Sequence, residues 1–270
     1  MSILYVVATP IGNLEDITLR ALRVLKEVAL IASEDTRTTA RLLRRYDIQT
    51  PLTSYYEHNK QSKLDFLIDK LESVDVALVS EAGMPAISDP GYELVVAATQ
   101  RGFNVVPLPG ASAFISALAV SGLPTDACHY LGFLPRKASE RHRLLQSVVQ
   151  EKVTLAAYEA PHRLSAALHD ILSVLGNRRV AICRELTKIH EEVFRGTVEE
   201  AIAYFVQPRG ELTIIIAGCM ERALIVDDGV VFRLRQLKRS GLPGKEVLAQ
   251  LIRETGIPRR ELYREWLKLK

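Results

Sequence analysis

Apolar positions in the first half of the chain come in unbroken blocks rather than in alternation. Ile3–Ala8 is one such block, ending at Thr9-Pro10, and 29–33, 75–80 and 103–110 repeat the pattern. Between them the spacing is helical. One helix starts near Ile17 with Leu19, Leu22, Val24 and Leu25 on its buried side, and a second carries Arg37, Arg41, Arg44 and Arg45 on neighbouring faces. A third covers about 62–72, and YELVVAATQRG and ASAFISALAVSG supply two more. Blocks without alternation are strands buried on both faces, so the order predicts a mostly parallel sheet covered by helices on each side. Ligands of such sheets gather at the C-terminal ends of the strands. Three Gly/Pro loops fall there: TPIGN, SEAGMPAIS and PLPGASA.

From GLPTDACHYLGF, read as a linker and a new strand, the order changes. KVTLAAYE, RRVAICREL, HEEVFRG and GELTIIIAG are strands separated by the helices ERHRLLQSVV, HRLSAALHDILSVLG and VEEAIAYFV, which predicts a mixed sheet. Val226-Asp227-Asp228-Gly229 breaks the pattern. The remainder of the chain is helical, and its last two helices, joined by Gly256-Ile257-Pro258, have helix-turn-helix spacing. The expected architecture is α/β: an N-terminal parallel-sheet domain over 1–122, a second α/β domain over 123–224, and a helical tail over 230–270.

With 48% hydrophobic and 25% charged residues in 270, the chain has the composition of a soluble globular protein. Its later apolar runs, LTIIIAG the longest, fall well short of the roughly 20 residues that span a bilayer, and the N-terminal run has no basic flank. A cytoplasmic location without a membrane partner is expected. Cys128, Cys183 and Cys219 are scattered singly and the six histidines form no HExxH, so neither a disulfide nor a metal site is expected, and the thiols are read as buried in strands. Charge is divided unevenly. From Arg233 to Lys270 there are 11 Lys and Arg against 4 Glu, a balance of +7, which leaves 24 basic against 28 acidic residues, or −4, for residues 1–232. The tail therefore offers a footprint for nucleic acid.

Each motif has a plain structural reading beside a functional one. In SEAGMPAISDPG, Gly83 and Gly91 let backbone approach a ligand, and Pro85 and Pro90 hold the loop open. Asp89 is read as the N-cap of the next helix with Pro90 at its first position, leaving SEAGMPAIS as the functional half. TPIGN has one glycine where a dinucleotide fingerprint needs three. EDTR is either a capped helix start or a catalytic cluster. Tyr158 and Glu159 of YEAPHRL either complement a helix dipole or suit a purine ring and its amino group. RELTK is an exposed edge or the polar wall of a cleft.

Taken in order, TPIGN, SEDTR, SEAGMPAISDPG, PLPGASA, GLPTD, GFLPRK, YEAPHR, RELTK and GELTIIIAG resemble the tetrapyrrole-methylase superfamily of S-adenosylmethionine-dependent enzymes. Within it they resemble the ribosomal RNA small subunit methyltransferase I group, which methylates a cytidine ribose 2′-oxygen in 16S rRNA. The resemblance runs from Leu4 to about Gly218 and more weakly into the tail. It implies a two-domain homodimer with S-adenosylmethionine in the cleft between domains and the 30S subunit or its 16S rRNA as partner. It places the methionine end of the cofactor against Gly83, Met84, Ile87, Ser88, Ser112 and Ala113, with Pro10 closing one side. Tyr158, Glu159, Leu186 and Thr213 would bracket the adenosine. The chain departs from the group at Glu81 and Met84, where Asp and Thr are usual, so any cofactor contact at Met84 passes to the backbone.

Methyl transfer is an in-line displacement. Orientation of the reactants is worth roughly 7–11 kcal/mol, whereas a general base adds about 3–5 kcal/mol. Positioning should dominate. Asp35 or Glu34 is the expected proton acceptor, with Arg37 and Lys188 on adjacent phosphates. Two alternatives stand beside this: a methylase of the same superfamily acting on a tetrapyrrole or a protein side chain, and a metabolite-sensing regulator that binds DNA through the tail.

Overall fold

In the computed structural model, which describes residues 2–219, 228–239, 242–255, 257 and 259–269, the apolar blocks of the first half form one sheet. Its strands are β1 (Ile3–Val7), β2 (Leu30–Ser33), β3 (Leu52–Ser54), β4 (Val76–Val79) and β5 (Asn104–Leu108), all parallel, in the order β3-β2-β4-β1-β5. The strand pleat explains why no alternation was needed. Leu4, Val76 and Leu78 point to one face, packing with α3 (Lys60–Leu71) and α4 (Tyr92–Gln100). Val7, Ala77 and Val79 point to the other, onto α1 (Leu19–Glu27) and α2 (Thr36–Arg45).

A second sheet of five strands comes next, in the order β6-β7-β10-β8-β9. It comprises β6 (Cys128–Phe133), β7 (Thr154–Glu159), β8 (Arg179–Arg184), β9 (Glu192–Thr197) and β10 (Leu212–Ile216), and only β6 and β7 run parallel. One face is covered by α6 (Ala138–Ser147), α7 (Leu164–Leu175) and α8 (Val198–Tyr204) around Leu168, Ile171 and Ile214. The other face receives α5 (Ala113–Val120), whose Ala117 and Leu118 pack with Ala156, Ala181 and Ile215. Antiparallel register sets Leu212 opposite both Glu159 and Arg184, so the ends of β7 and β8 and the start of β10 share one edge.

The chain divides into two compact units, Met1–Gly218 and Cys219–Lys270. The second holds α9 (Asp228–Arg239), α10 (Gly244–Thr255) and α11 (Arg259–Lys268) around a core of Leu234, Val247, Leu248, Leu251, Ile257 and Leu262. Residues 226 and 227 of the expected break, and Gly256 and Pro258 of the helix-turn-helix joint, lie outside the described residues.

Four local expectations are corrected. Leu19 is 86% exposed, because the buried stripe of α1 runs through Ala21, Val24 and Leu25 while Leu19 shares a face with Arg23 and Lys26. β3 was not foreseen. The N-cap of α4 is Gly91 at φ 144°, not Asp89, and Pro90 precedes the helix. Of the thiols only Cys183 is buried; Cys128 is half-buried in β6, and Cys219 is half-buried and in no strand.

Candidate functional site

A cavity of about 340 Å³ lies where the C-terminal ends of the parallel sheet meet that shared edge. The first sheet contributes Ile11 after β1, Glu34 after β2, the loop after β4 through Glu81, Gly83, Met84, Ile87 and Asp89, and Ser112-Ala113 where α5 begins. The second contributes Phe133 from β6, Tyr158 to Pro161 at the end of β7, Cys183 and Leu186 at β8, and Glu211 to Thr213 at β10.

Local backbone explains how these side chains are held. Gly83 takes φ 79° and exchanges two backbone hydrogen bonds with Thr9, at 2.9 and 3.0 Å, which ties the loop after β4 to the loop after β1. Ile87 is flanked by Ala86 and Ser88, at φ 67° and 65°, and Leu186 by Glu185 and Thr187, at φ 51° and 67°. Such left-handed residues cost about 1–3 kcal/mol each and persist only where their surroundings hold them. Here the Ser88 hydroxyl meets Tyr130 Oη at 2.7 Å, Thr187 N donates to Glu191 at 2.6 Å, and Thr187 Oγ1 accepts from Asn13 N at 3.0 Å.

One wall is acidic. Burial raises the Glu34 carboxyl, helped by the neighbouring Glu81 and Asp35 charges, although the Glu81 N–H donating at 3.2 Å offsets part of this. Asp89 is pushed up to about 7, by burial first, then by Glu34 and Glu81, against the hydrogen bond with Ser80. Beside it the lining is aromatic. Tyr158 lies 5.5 Å from Tyr130 and 5.3 Å from Phe133, and its hydroxyl, raised by burial and by Tyr130, accepts from Phe114 N at 3.1 Å. Glu159 is 2% exposed; it accepts from Ala160 N at 2.7 Å and pairs with Arg163, while its Oε2 and Arg163 Nη1 have no hydrogen-bond partner. The start of α5 adds a partial positive charge at Ser112-Ala113. Carboxylates, a helix N-terminus and aromatic rings set at 57° and 76° to one another suit a zwitterionic ligand that carries an extra cation and a planar ring.

The model for tetrapyrrole (corrin/porphyrin) methylases matches residues 3–202. The ribosomal RNA small subunit methyltransferase I of Halalkalibacterium halodurans is 48% identical over 270 residues, covering 96% of this chain and 93% of that protein. Its namesake from Synechocystis is 48% identical over 275 residues, covering 100% and 99%. The chain belongs to the tetrapyrrole methylases, in the small subunit methyltransferase I group. The fold is theirs as well: a crystal structure of diphthine synthase superposes with a TM-score of 0.65 at 13% identity, over 80% of this chain and 90% of that one.

In this methylase the cavity gathers Gly83, Met84, Ile87, Ser112, Ala113, Tyr158, Glu159, Leu186 and Thr213, nine of the eleven residues expected around a cofactor. Pro10 is buried beside it, and Ser88 turns to Tyr130 instead. Of the four residues expected to be catalytic, Glu34 alone lines the cavity. Asp35 caps α2, accepting from Arg37 N at 2.7 Å and Thr38 N at 3.2 Å, so the plain reading of EDTR describes it. Arg37 is exposed on α2. Lys188 lines a separate open groove with Asn13, Arg45 and His190, its Nζ 3.0 Å from both Glu185 and Glu211. Sequence reasoning missed Asp89, Glu81 and Phe133 as cavity residues. A glycine directly before Tyr92, able to cap α4 itself, was the signal that freed Asp89 for another role.

Proposed function

We propose that this chain transfers a methyl group from S-adenosylmethionine to the 2′-oxygen of a cytidine ribose in 16S rRNA of the small ribosomal subunit. The observation that carries the reading is one cavity with carboxylates on one wall and a helix N-terminus on another, in a chain nearly half identical to proteins named for this subunit's RNA. The cofactor would supply an electrophilic methyl group on a sulfonium. Ser112 and Ala113, at the start of α5, would take its carboxylate; Glu34 and Glu81 suit its positive charges; Tyr158, Leu186 and Thr213 would flank the adenosine. Pro10 and Ser88 would act from behind, by holding the loops.

Alignment carries most of the barrier lowering. The strained turns at 86–88 and 185–187 hold Ile87 and Leu186 in place before anything binds. Arg37 is available for a phosphate, whereas Lys188 must leave Glu185 or Glu211 to reach one. The exposed apolar residues Ile115, Val120 and Phe133 suit a homodimer, which light scattering on the purified protein tests. The tail would add affinity for RNA, and the cytoplasm is where the substrate resides. The regulator alternative is not favoured, because the family is one of methylases.

The deciding experiment incubates the protein with methyl-labelled S-adenosylmethionine and 30S subunits, naked 16S rRNA or duplex DNA, followed by digestion to nucleosides. Label in 2′-O-methylcytidine from 16S rRNA is the expected result. No label in any RNA, with no heat on titrating S-adenosylmethionine or its demethylated product, overturns the reading.

A further inference from the structure

The carboxylates around the cavity have different duties. Glu34 Oε2 accepts the Glu81 N–H and so holds the loop after β4, Glu211 is paired with Lys188, and Glu159 is sealed against Arg163. Asp35, outside the cavity, caps a helix. Glu81 also lines the cavity but is exposed, whereas Asp89 is half-buried and serves none of these purposes. It lines the cavity at the last turn before α4, beside the Ser80 hydroxyl and close enough to Tyr130 and Tyr158 for its charge to act on both phenols. The N-cap of α4 is Gly91, at φ 144°, so the helix end is not Asp89's to cap.

We infer that Asp89 is the catalytic residue that accepts the proton of the ribose hydroxyl as the methyl group is transferred. The inference rests on the function proposed above. As the new bond forms between the ribose oxygen and the methyl carbon, the hydroxyl proton passes to the Asp89 carboxylate. The electron pair of the broken carbon–sulfur bond stays on sulfur, and Asp89 then releases its proton to solvent. A carboxyl held near 7 is well matched to this work at neutral pH, half of it ionised and its conjugate acid still able to shed a proton. The groups facing it are Glu34 from the end of β2, Glu81 from its own loop, and Tyr130 and Tyr158 from β6 and β7; burial first raises Asp89 and both phenols, the two acids add to the rise of Asp89, and its charge adds a smaller part to that of the two phenols.

The test uses the full chain with 30S subunits and labelled cofactor, in single-turnover reactions from pH 5.5 to 8.5, on wild type and Asp89→Asn. Binding of the demethylated cofactor is followed by calorimetry, and carbon-13 titration of the carboxyls is followed in the cofactor-free protein. Expected are a wild-type rate, measured below saturation so that it reports the free protein, that climbs about tenfold per pH unit and levels off near 7, and a carboxyl resonance titrating there that Asp89→Asn lacks. The variant should bind the demethylated cofactor as wild type does and turn over roughly 10²–10⁴-fold more slowly, without the pH step. A variant within a few fold of wild type overturns the assignment, as does one whose loss of rate is matched by loss of binding. If Asp89→Asn fails to fold, the wild-type profile decides: a flat profile, or no carboxyl titrating near 7, overturns it, and a step matched by such a carboxyl supports it. A wild type that binds cofactor and labels no RNA overturns the proposed function together with this inference, whereas an active wild type with an active variant overturns the inference alone.

Discussion

Asp89 shows what a single residue gives up for the site. A carboxyl raised from 3.8 to about 7 binds its proton more tightly in the folded chain than in the unfolded one, so between those pH values the folded state holds more protons and stability falls as pH rises. The loss is complete above about 7 and recovered below about 4. Asp89→Asn removes the crowded charge while keeping the side chain's size, so it should melt higher than wild type at pH 8, with the gap closing by pH 4 in parallel thermal scans. A variant more stable and less active is the signature of a group kept for function. Tyr158 makes the opposite case. Its hydroxyl accepts from Phe114 N, a first-turn donor of α5 with no acceptor inside its helix. Tyr158→Phe strands that donor, which should cost about 1–3 kcal/mol in urea unfolding and weaken cofactor binding measured by calorimetry.

Among the elements, α2 separates a structural carboxylate from a catalytic one. Asparagine caps a helix as well as aspartate does, so Asp35→Asn should keep both stability and turnover, while Asp35→Ala should lose about 0.5–2 kcal/mol on thermal or urea unfolding. A turnover that falls with Asp35→Asn at unchanged stability would return the residue to the chemistry. The same contrast shows what sequence can reveal. β1, β2 and β4 were legible because strands buried within a covered sheet need no alternation; β5 shows the same apolar run, yet it is the edge strand and only Leu108 in it is buried; and the loops that line the cavity were legible because glycine and proline punctuate strand ends. β3 was not, since Leu52-Thr53-Ser54 is too short and too polar to stand out, and it is ordered by pairing with β2. The far wall carries no local signal in its spacing either. Glu159, Arg184 and Leu212 are brought to one edge by antiparallel register, and residues far apart in the chain meet only once that register exists; the pairing of an aromatic with a carboxylate in YEAPHRL already offered Tyr158, whereas only the resemblance to a family pointed to Leu186 and Thr213.

At the level of the whole molecule, charge poses a problem for a protein that acts on RNA. Residues 1–232 carry −4 and the cavity has an acidic wall, so the phosphate backbone gains little from approaching it. That wall suits a cationic cofactor, and the attraction for RNA must then come from elsewhere. Residues 233–270 carry +7, and Arg239, Lys245, Arg259 and Arg260 all lie on exposed positions of α9, α10 and α11, away from the Leu234–Leu251–Leu262 core that folds this unit. Changing these four to glutamine leaves that core intact. The variant should bind 16S rRNA more weakly, and the slope of log affinity against log salt should flatten by about 0.7 for each phosphate no longer neutralised, whereas calorimetric affinity for the cofactor should not move. Filter binding across a series of salt concentrations measures the slope. An unchanged slope would make the basic residues an ordinary solvated surface, and the attraction would then have to be sought in Arg37, Arg41, Arg44 and Arg45, the exposed row along α2.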